Sequence, residues 1–127
     1  MKKLSDLTDG QLEILEVLWK HGEATANDIH DTLAKDEGLA RGTVGTMLHR
    51  LARQGILGHR AEGREYFYRA RVSREAVMAA RLDGLVNRLF NGDLAAMVSF
   101  AVSKSDTRAN DLVRLREMLD RHRARRK

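Results

Sequence analysis

The stretch Arg41–Gly55, RGTVGTMLHRLARQG, decides the fold. Read at helical spacing, Val44, Met47, Leu48 and Leu51 fall within one arc of about 100°. Thr43, Thr46, Arg50 and Arg53 fall on the opposite side, with Gly42 and His49 beside them. The spacing predicts a helix over residues 41–54 with one packed face and one open face. The open face is small at its start and cationic further along. The first turns are poor helix formers, since glycine costs about 1 kcal/mol against alanine and threonine about half that. Burial of the four apolar side chains can exceed that cost. Gly55 closes the helix.

After it the period changes. Ile56–Arg60 and Glu65–Arg69 are short and rich in strand formers, with Ala61–Arg64 between them. This predicts a β-hairpin with Gly63 in the turn. Upstream, Thr8-Asp9-Gly10-Gln11 has the pattern of a capping box, and Leu7 and Leu12 stand at the spacing of a hydrophobic staple. A helix follows to about Lys20, with Leu12, Leu15, Leu18 and Trp19 on one face and Ile14 and Val17 broadening it; Gly22 ends it. Thr25 caps a second helix, in which Asp28 places negative charge near the positive end of the dipole and Ala26, Ile29 and Leu33 face inward. Lys35–Gly38 reads as a break. Three helices and a hairpin, in that order, make a winged helix-turn-helix.

From Ser73, which can cap a helix, the chain reads as helical. Met78, Leu82, Leu85, Val86, Leu89 and Phe90 form a stripe at helical spacing. Asn91-Gly92 turns the chain, and Asp93 can cap a short apolar helix with Leu94, Met97, Val98 and Phe100. A last helix carries Leu112, Val113, Leu115, Met118 and Leu119, and its tail, RHRARRK, is expected to fray. Three such helices make little core of their own. Their stripes are generous, so a second copy is the expected cover, through Met78, Leu82, Leu85, Leu89, Leu94, Met97, Val98, Leu112, Leu115 and Leu119. The fold class is mainly α with a small hairpin wing: a winged-helix domain over 1–72 and a helical dimerisation domain over 73–127.

Charge is unevenly spread along the 127 residues, whose net charge is +5. Residues 1–39 sum to −5, residues 40–71 to +5, and residues 72–127 to +5. The middle block is the least diluted basic segment, and a basic patch attracts polyanions, usually DNA or RNA. The chain has no cysteine, so disulfides and thiolate metal sites are excluded. No apolar run reaches the ~18 residues of a membrane span, and the N-terminus lacks the apolar segment of a signal peptide. A cytoplasmic protein without membrane insertion is expected. The five histidines show no metal-ligand spacing. No nucleophile–base–acid set and no phosphate-binding loop is present. Neither an enzyme, a metal nor a cofactor is therefore expected.

In order and at these spacings, the pieces resemble the penicillinase-repressor (BlaI/MecI/CopY) family. LTDGQLEILEVLW (Leu7–Trp19) resembles its first helix, Ala24–Ile29 the start of its second, Thr43-Val44 with Thr46 and then Arg50-Leu51 its recognition helix, and Gly55-Ile56-Leu57 that helix's exit. Gly63-Arg64 and Tyr66–Tyr68 resemble its wing, and Leu89–Asp93 the turn in its dimerisation half. The resemblance implies a homodimeric repressor on a palindromic double-stranded DNA operator. It places DNA contacts at Thr43 and Thr46, where a hydroxyl can meet a phosphate and a methyl a thymine methyl.

Gly42 gives the groove close access. Arg41, Arg50, Arg53 and Arg64 supply cations, with Arg60 as a weaker candidate. In one branch of the family a membrane metalloprotease sensor of the BlaR/MecR type triggers cleavage at Asn-Phe; the aligned pair here is Ser99-Phe100, with serine in place of the asparagine. The copper branch senses through C-terminal cysteines, which this chain lacks. The family often has a capping serine where this chain has Ala40. Two other readings of the same fold are a protein–protein interaction module and an RNA binder without operator specificity.

Overall fold

The computed structural model describes residues 3–37, 41–104 and 109–126. A turn of 3-10 helix, Leu4–Asp6, leads into α1 (Asp9–His21), β1 (Glu23–Thr25), α2 (Ala26–Glu37), α3 (Arg41–Arg53), β2 (Leu57–Glu62), β3 (Glu65–Ala70), α4 (Arg74–Leu89), α5 (Leu94–Ser103) and α6 (Ala109–Arg126). The strands form one antiparallel sheet in the order β1-β3-β2.

Local chemistry sets each boundary. The capping box of α1 is complete: the Thr8 hydroxyl accepts from the Gln11 N–H at 3.2 Å, and the Gln11 carboxamide oxygen accepts from the Thr8 N–H at 2.9 Å. α2 begins with a second reciprocal pair. The Thr25 hydroxyl accepts from the Asp28 N–H at 3.1 Å, and the Asp28 carboxylate accepts from the Thr25 N–H at 3.4 Å. Asp28 thus acts as a capping partner as well as a charge. α2 continues to Glu37, through most of the expected break at Lys35–Gly38. Gly38 and Ala40 lie outside the described residues.

α3 ends in a Schellman turn. The Ile56 N–H donates to the Leu51 carbonyl at 3.0 Å and the Gly55 N–H to the Ala52 carbonyl at 3.1 Å, with Gly55 at φ 80°. The hairpin turn is only Gly63-Arg64, shorter than the expected Ala61–Arg64. Gly63 has φ 63° and Arg64 does not have positive φ, the pattern of a type II′ turn that suits the twist of the strands. Ser73 and Asp93 cap α4 and α5, accepting from the N–H groups of Ala76 and Ala96 at 3.0 Å each. The tail, expected to fray, remains helical through Arg126. Its arginines are good helix formers and favour the negative end of the helix dipole.

By its contacts the chain forms two compact units, Met1–Asp83 and Gly84–Lys127. In the first, Ile14, Leu15, Leu18, Ile29, Val44, Leu48, Leu51 and Leu57 are fully buried, and Tyr68 and Val77 complete the core. Trp19 packs on that core, as its place on the α1 stripe predicts. Its indole N–H donates to the Val72 carbonyl at 2.9 Å, and the Arg74 guanidinium lies 4.9 Å above the ring. Arg74 also makes a two-pronged ion pair with Glu16, both contacts 2.7 Å, and Arg81 donates to the Leu7 carbonyl. Secondary structure changes character at residue 72, but these bonds and Val77 draw the first ten residues of α4 into the winged-helix unit.

The second unit has an open groove of about 410 Å³ between α5 and α6, lined by Met97, Val98, Ala101, Val102, Leu115 and Met118 together with Asp111 and Arg114. Among the described residues no helix is long and apolar enough to cross a membrane.

Candidate nucleic-acid interface

The inward face of α3 carries Val44, Leu48 and Leu51, all at 1 % exposure or less. That anchorage presents the other face outward. Gly42, Thr43, Thr46, His49, Arg50 and Arg53 are exposed on it, and Gly45 is half-buried. Arg41 begins the helix, but its side chain lies outside the described residues. Arg64 is exposed on a separate element, the hairpin turn. The structure therefore brings Gly42, Thr43, Thr46, Arg50 and Arg53 onto one surface. Among the described residues no ion pair engages Arg50, Arg53 or Arg64. Each keeps its forked donors available, a geometry suited to phosphate oxygens or the edge of guanine.

Two details change what the surface offers. The Thr46 hydroxyl donates to the Gly42 carbonyl at 2.9 Å, one turn back along the helix. Its proton is occupied, so the side chain presents a methyl group and acceptor lone pairs. A thymine methyl suits that better than a phosphate does. The second detail is the pair of glycines. A Cβ built at Gly42 or Gly45 meets nothing within 4 Å, and neither residue has positive φ. Among the described residues nothing requires glycine at either place, though each weakens the helix by about 1 kcal/mol.

The wing departs from the sequence reading in one residue. Arg60, a candidate cation, is already engaged. It donates to both Glu23 carboxylate oxygens at 2.9 and 2.8 Å and to Glu62 at 2.8 Å, and it lies 4.6 Å over the Phe67 ring. The hydrogen bonds from Arg60 hold the Glu23 carboxyl below its usual pKa. On the opposite face of the hairpin Tyr68 enters the core, while Tyr66 is exposed and meets the His59 ring edge-on at 5.4 Å. Sequence reasoning missed β1 and hence Glu23. Three residues are too short to display a strand period, and the only signal was the strand-forming Thr25 after Gly22.

In the second unit the residues expected to meet a second copy carry their side chains outward: Leu85, Leu89, Leu94, Val98, Leu112, Leu115 and Leu119 are exposed and Met97 is half-buried. Met78 and Leu82, on the part of α4 that belongs to the first unit, are exposed as well. Ser99 and Phe100 lie inside α5, with the Phe100 ring 6.0 Å from Phe90. Among the described residues no three His, Cys, Asp or Glu side chains are grouped to hold a metal ion.

The family model described as penicillinase repressor matches residues 7–121. The penicillinase repressor of Bacillus licheniformis is 30 % identical over 127 residues, covering all of this chain and 99 % of that one. A solution structure of the DNA-binding domain of the repressor BlaI superposes with a TM-score of 0.53 at 34 % identity, over 60 % of this chain and 93 % of that domain. Monomeric BlaI from Bacillus licheniformis, solved in complex with the blaP half-operator, gives a TM-score of 0.50 at 34 % identity, again over 60 % of this chain and 93 % of that one. The chain belongs to the penicillinase repressor family, a family of transcriptional repressors and not of enzymes.

Proposed function

We propose that the protein is a homodimeric repressor that binds a palindromic duplex operator through the outward face of α3 and the hairpin wing. The observation that carries this is the α3 face itself, where one surface combines arginines outside any ion pair, outward threonines and two glycines that the described residues do not require. A protein surface selected only for folding has no use for those glycines. A duplex entering closely does, because a helix start without Cβ atoms approaches the floor of the major groove.

In this reading Gly42 and Gly45 give clearance, and Thr43 and the Thr46 methyl meet base edges. Arg41 and Arg50 hold phosphate or guanine, and Arg53 and Arg64 hold the backbone. Each phosphate neutralised steepens the salt dependence by nearly one unit. The half-operator complex of the Bacillus licheniformis relative supports duplex DNA over RNA or a protein partner. The apolar faces of α4, α5 and α6 pair two copies, which sets the half-sites a multiple of about 10 base pairs apart. Such a protein works in the cytoplasm.

Release by a membrane metalloprotease sensor acts at Ser99-Phe100 in this reading. That pair lies within a helix, whereas proteases favour exposed loops. α5 must unwind locally before cleavage. The test of the central claim is a double variant, Thr46→Ala with Arg50→Ala. Duplex fragments recovered from the genome by the wild-type chain should lose specific gel-shift binding to the variant, while sedimentation still reports the wild-type assembly. Unchanged gel shifts would sink the assignment of α3.

A further inference from the structure

The hairpin between residues 60 and 65 carries Arg60 and Arg64 against Glu62 and Glu65. Glu62 and Glu65 are direct register partners across the turn. Like charges so placed repel each other, and both would also repel a phosphate approaching Arg64. Charge counting alone therefore makes this wing tip a poor ligand for a polyanion.

Arg60 alters that balance. The sheet order puts β3 between β1 and β2. Arg60 on β2 and Thr25 on β1 both register with Phe67 on β3. From there the Arg60 side chain crosses over the Phe67 ring and reaches Glu23 on β1 with two hydrogen bonds, while its remaining nitrogen holds Glu62 at 2.8 Å. One guanidinium thus ties the outer strand of the hairpin to the far strand of the sheet and cancels a carboxylate next to the turn. All three of its nitrogens are engaged, so only two of the five N–H donors remain, and its charge is already shared between two carboxylates.

We propose that Arg60 is a positioning residue of the wing: it clamps β2 to β1 across β3 and neutralises Glu62, so that Arg64 meets phosphate, without touching DNA itself. The proposal rests on the reading that the wing lies against duplex DNA. Removing Arg60 frees Glu23 and Glu62, and the net charge of Glu23 with residues 60–65 falls from −1 to −2 beside Arg64.

The experiment measures binding of the full chain to a mixed-sequence DNA duplex by fluorescence anisotropy across a salt series, with circular dichroism melts to check folding. Arg60→Ala removes one positive charge and should weaken binding about tenfold near 0.1 M salt. The triple variant Arg60→Ala, Glu23→Gln, Glu62→Gln should recover most of that loss. Glu62→Gln alone keeps the clamp to Glu23 and should bind more tightly than wild type. Arg64→Ala should weaken binding and lower the salt slope in the wild-type background, yet add little to Arg60→Ala.

A triple variant that folds and stays as weak as Arg60→Ala overturns the proposal and makes Arg60 a phosphate ligand in its own right. An Arg60→Ala variant that binds like wild type also overturns it. Should the wild-type chain fail to bind the duplex at low salt, the failure belongs to the DNA-binding reading instead.

Discussion

The two units spend their apolar side chains in opposite ways. In the winged-helix unit Ile14, Leu15, Leu18, Ile29, Leu48 and Leu51 are closed off almost entirely from solvent. In the helical unit Leu89 is 70 %, Leu119 63 % and Phe100 60 % exposed, and α5, the most apolar helix of the chain, has no buried residue. Exposed apolar area on that scale marks an interaction surface. The first unit completes its core within one chain; the second leaves its surface unfinished. Under the proposed function the two tasks make different demands: reading DNA needs a rigid platform, and pairing copies needs a face kept open until the partner arrives.

The largest effect should come from making one substitution in both units. Leu48→Ala removes a fully buried side chain and should cost about 2–5 kcal/mol in urea melts at any protein concentration. Leu119→Ala should be nearly silent in dilute solution and destabilising only at concentrations where copies pair, because mass action couples pairing to folding. Equal losses at every concentration would mean that the helical unit covers its own stripe, and the contrast would fail.

A smaller effect sharpens the contrast inside the winged helix. Gly42→Ala with Gly45→Ala should raise the stability of the free chain by about 1 kcal/mol per site and should weaken duplex binding. A variant that is more stable and binds equally well would show that the open helix start is not there for clearance.

The smallest effect is electrostatic. The hydrogen bonds from Arg74 hold the Glu16 carboxyl below its ordinary value of 4.5. A lowered carboxylate contributes stability that is present above its unfolded value and disappears as the pH falls through the folded one. The pair is about half exposed, so the contribution should stay under ~1 kcal/mol. Thermal melts from pH 6 down to about pH 3 should therefore separate wild type from Glu16→Gln at the upper end and bring them together at the lower.

Much of this was legible in sequence because the signals are local. Thr8 and Gln11 are one turn apart, the α3 stripe repeats within one helix, and Gly55 and Gly63 mark their turns. The ion pair of Arg60 was not legible because its partner, Glu23, is 37 residues away on a strand too short to carry a pattern. The same distance effect hid the anchoring of α4. Composition changes at residue 72, but Arg74, Val77 and Arg81 bind back to α1 and the segment before it, and no sequence period records that. On α3, periodicity gave the open face correctly but could not see that the Thr46 proton is spent on Gly42.

Trp19 is the one tryptophan in the chain. Its ring stands where the last strand hands over to α4, with a guanidinium above it and its N–H tied to Val72. Indole emission responds to a nearby charge and to the loss of a hydrogen bond. The molecule therefore carries its own optical gauge, unlabelled and placed at the joint between sheet and helix, and a change in fluorescence on binding DNA would report movement at that joint.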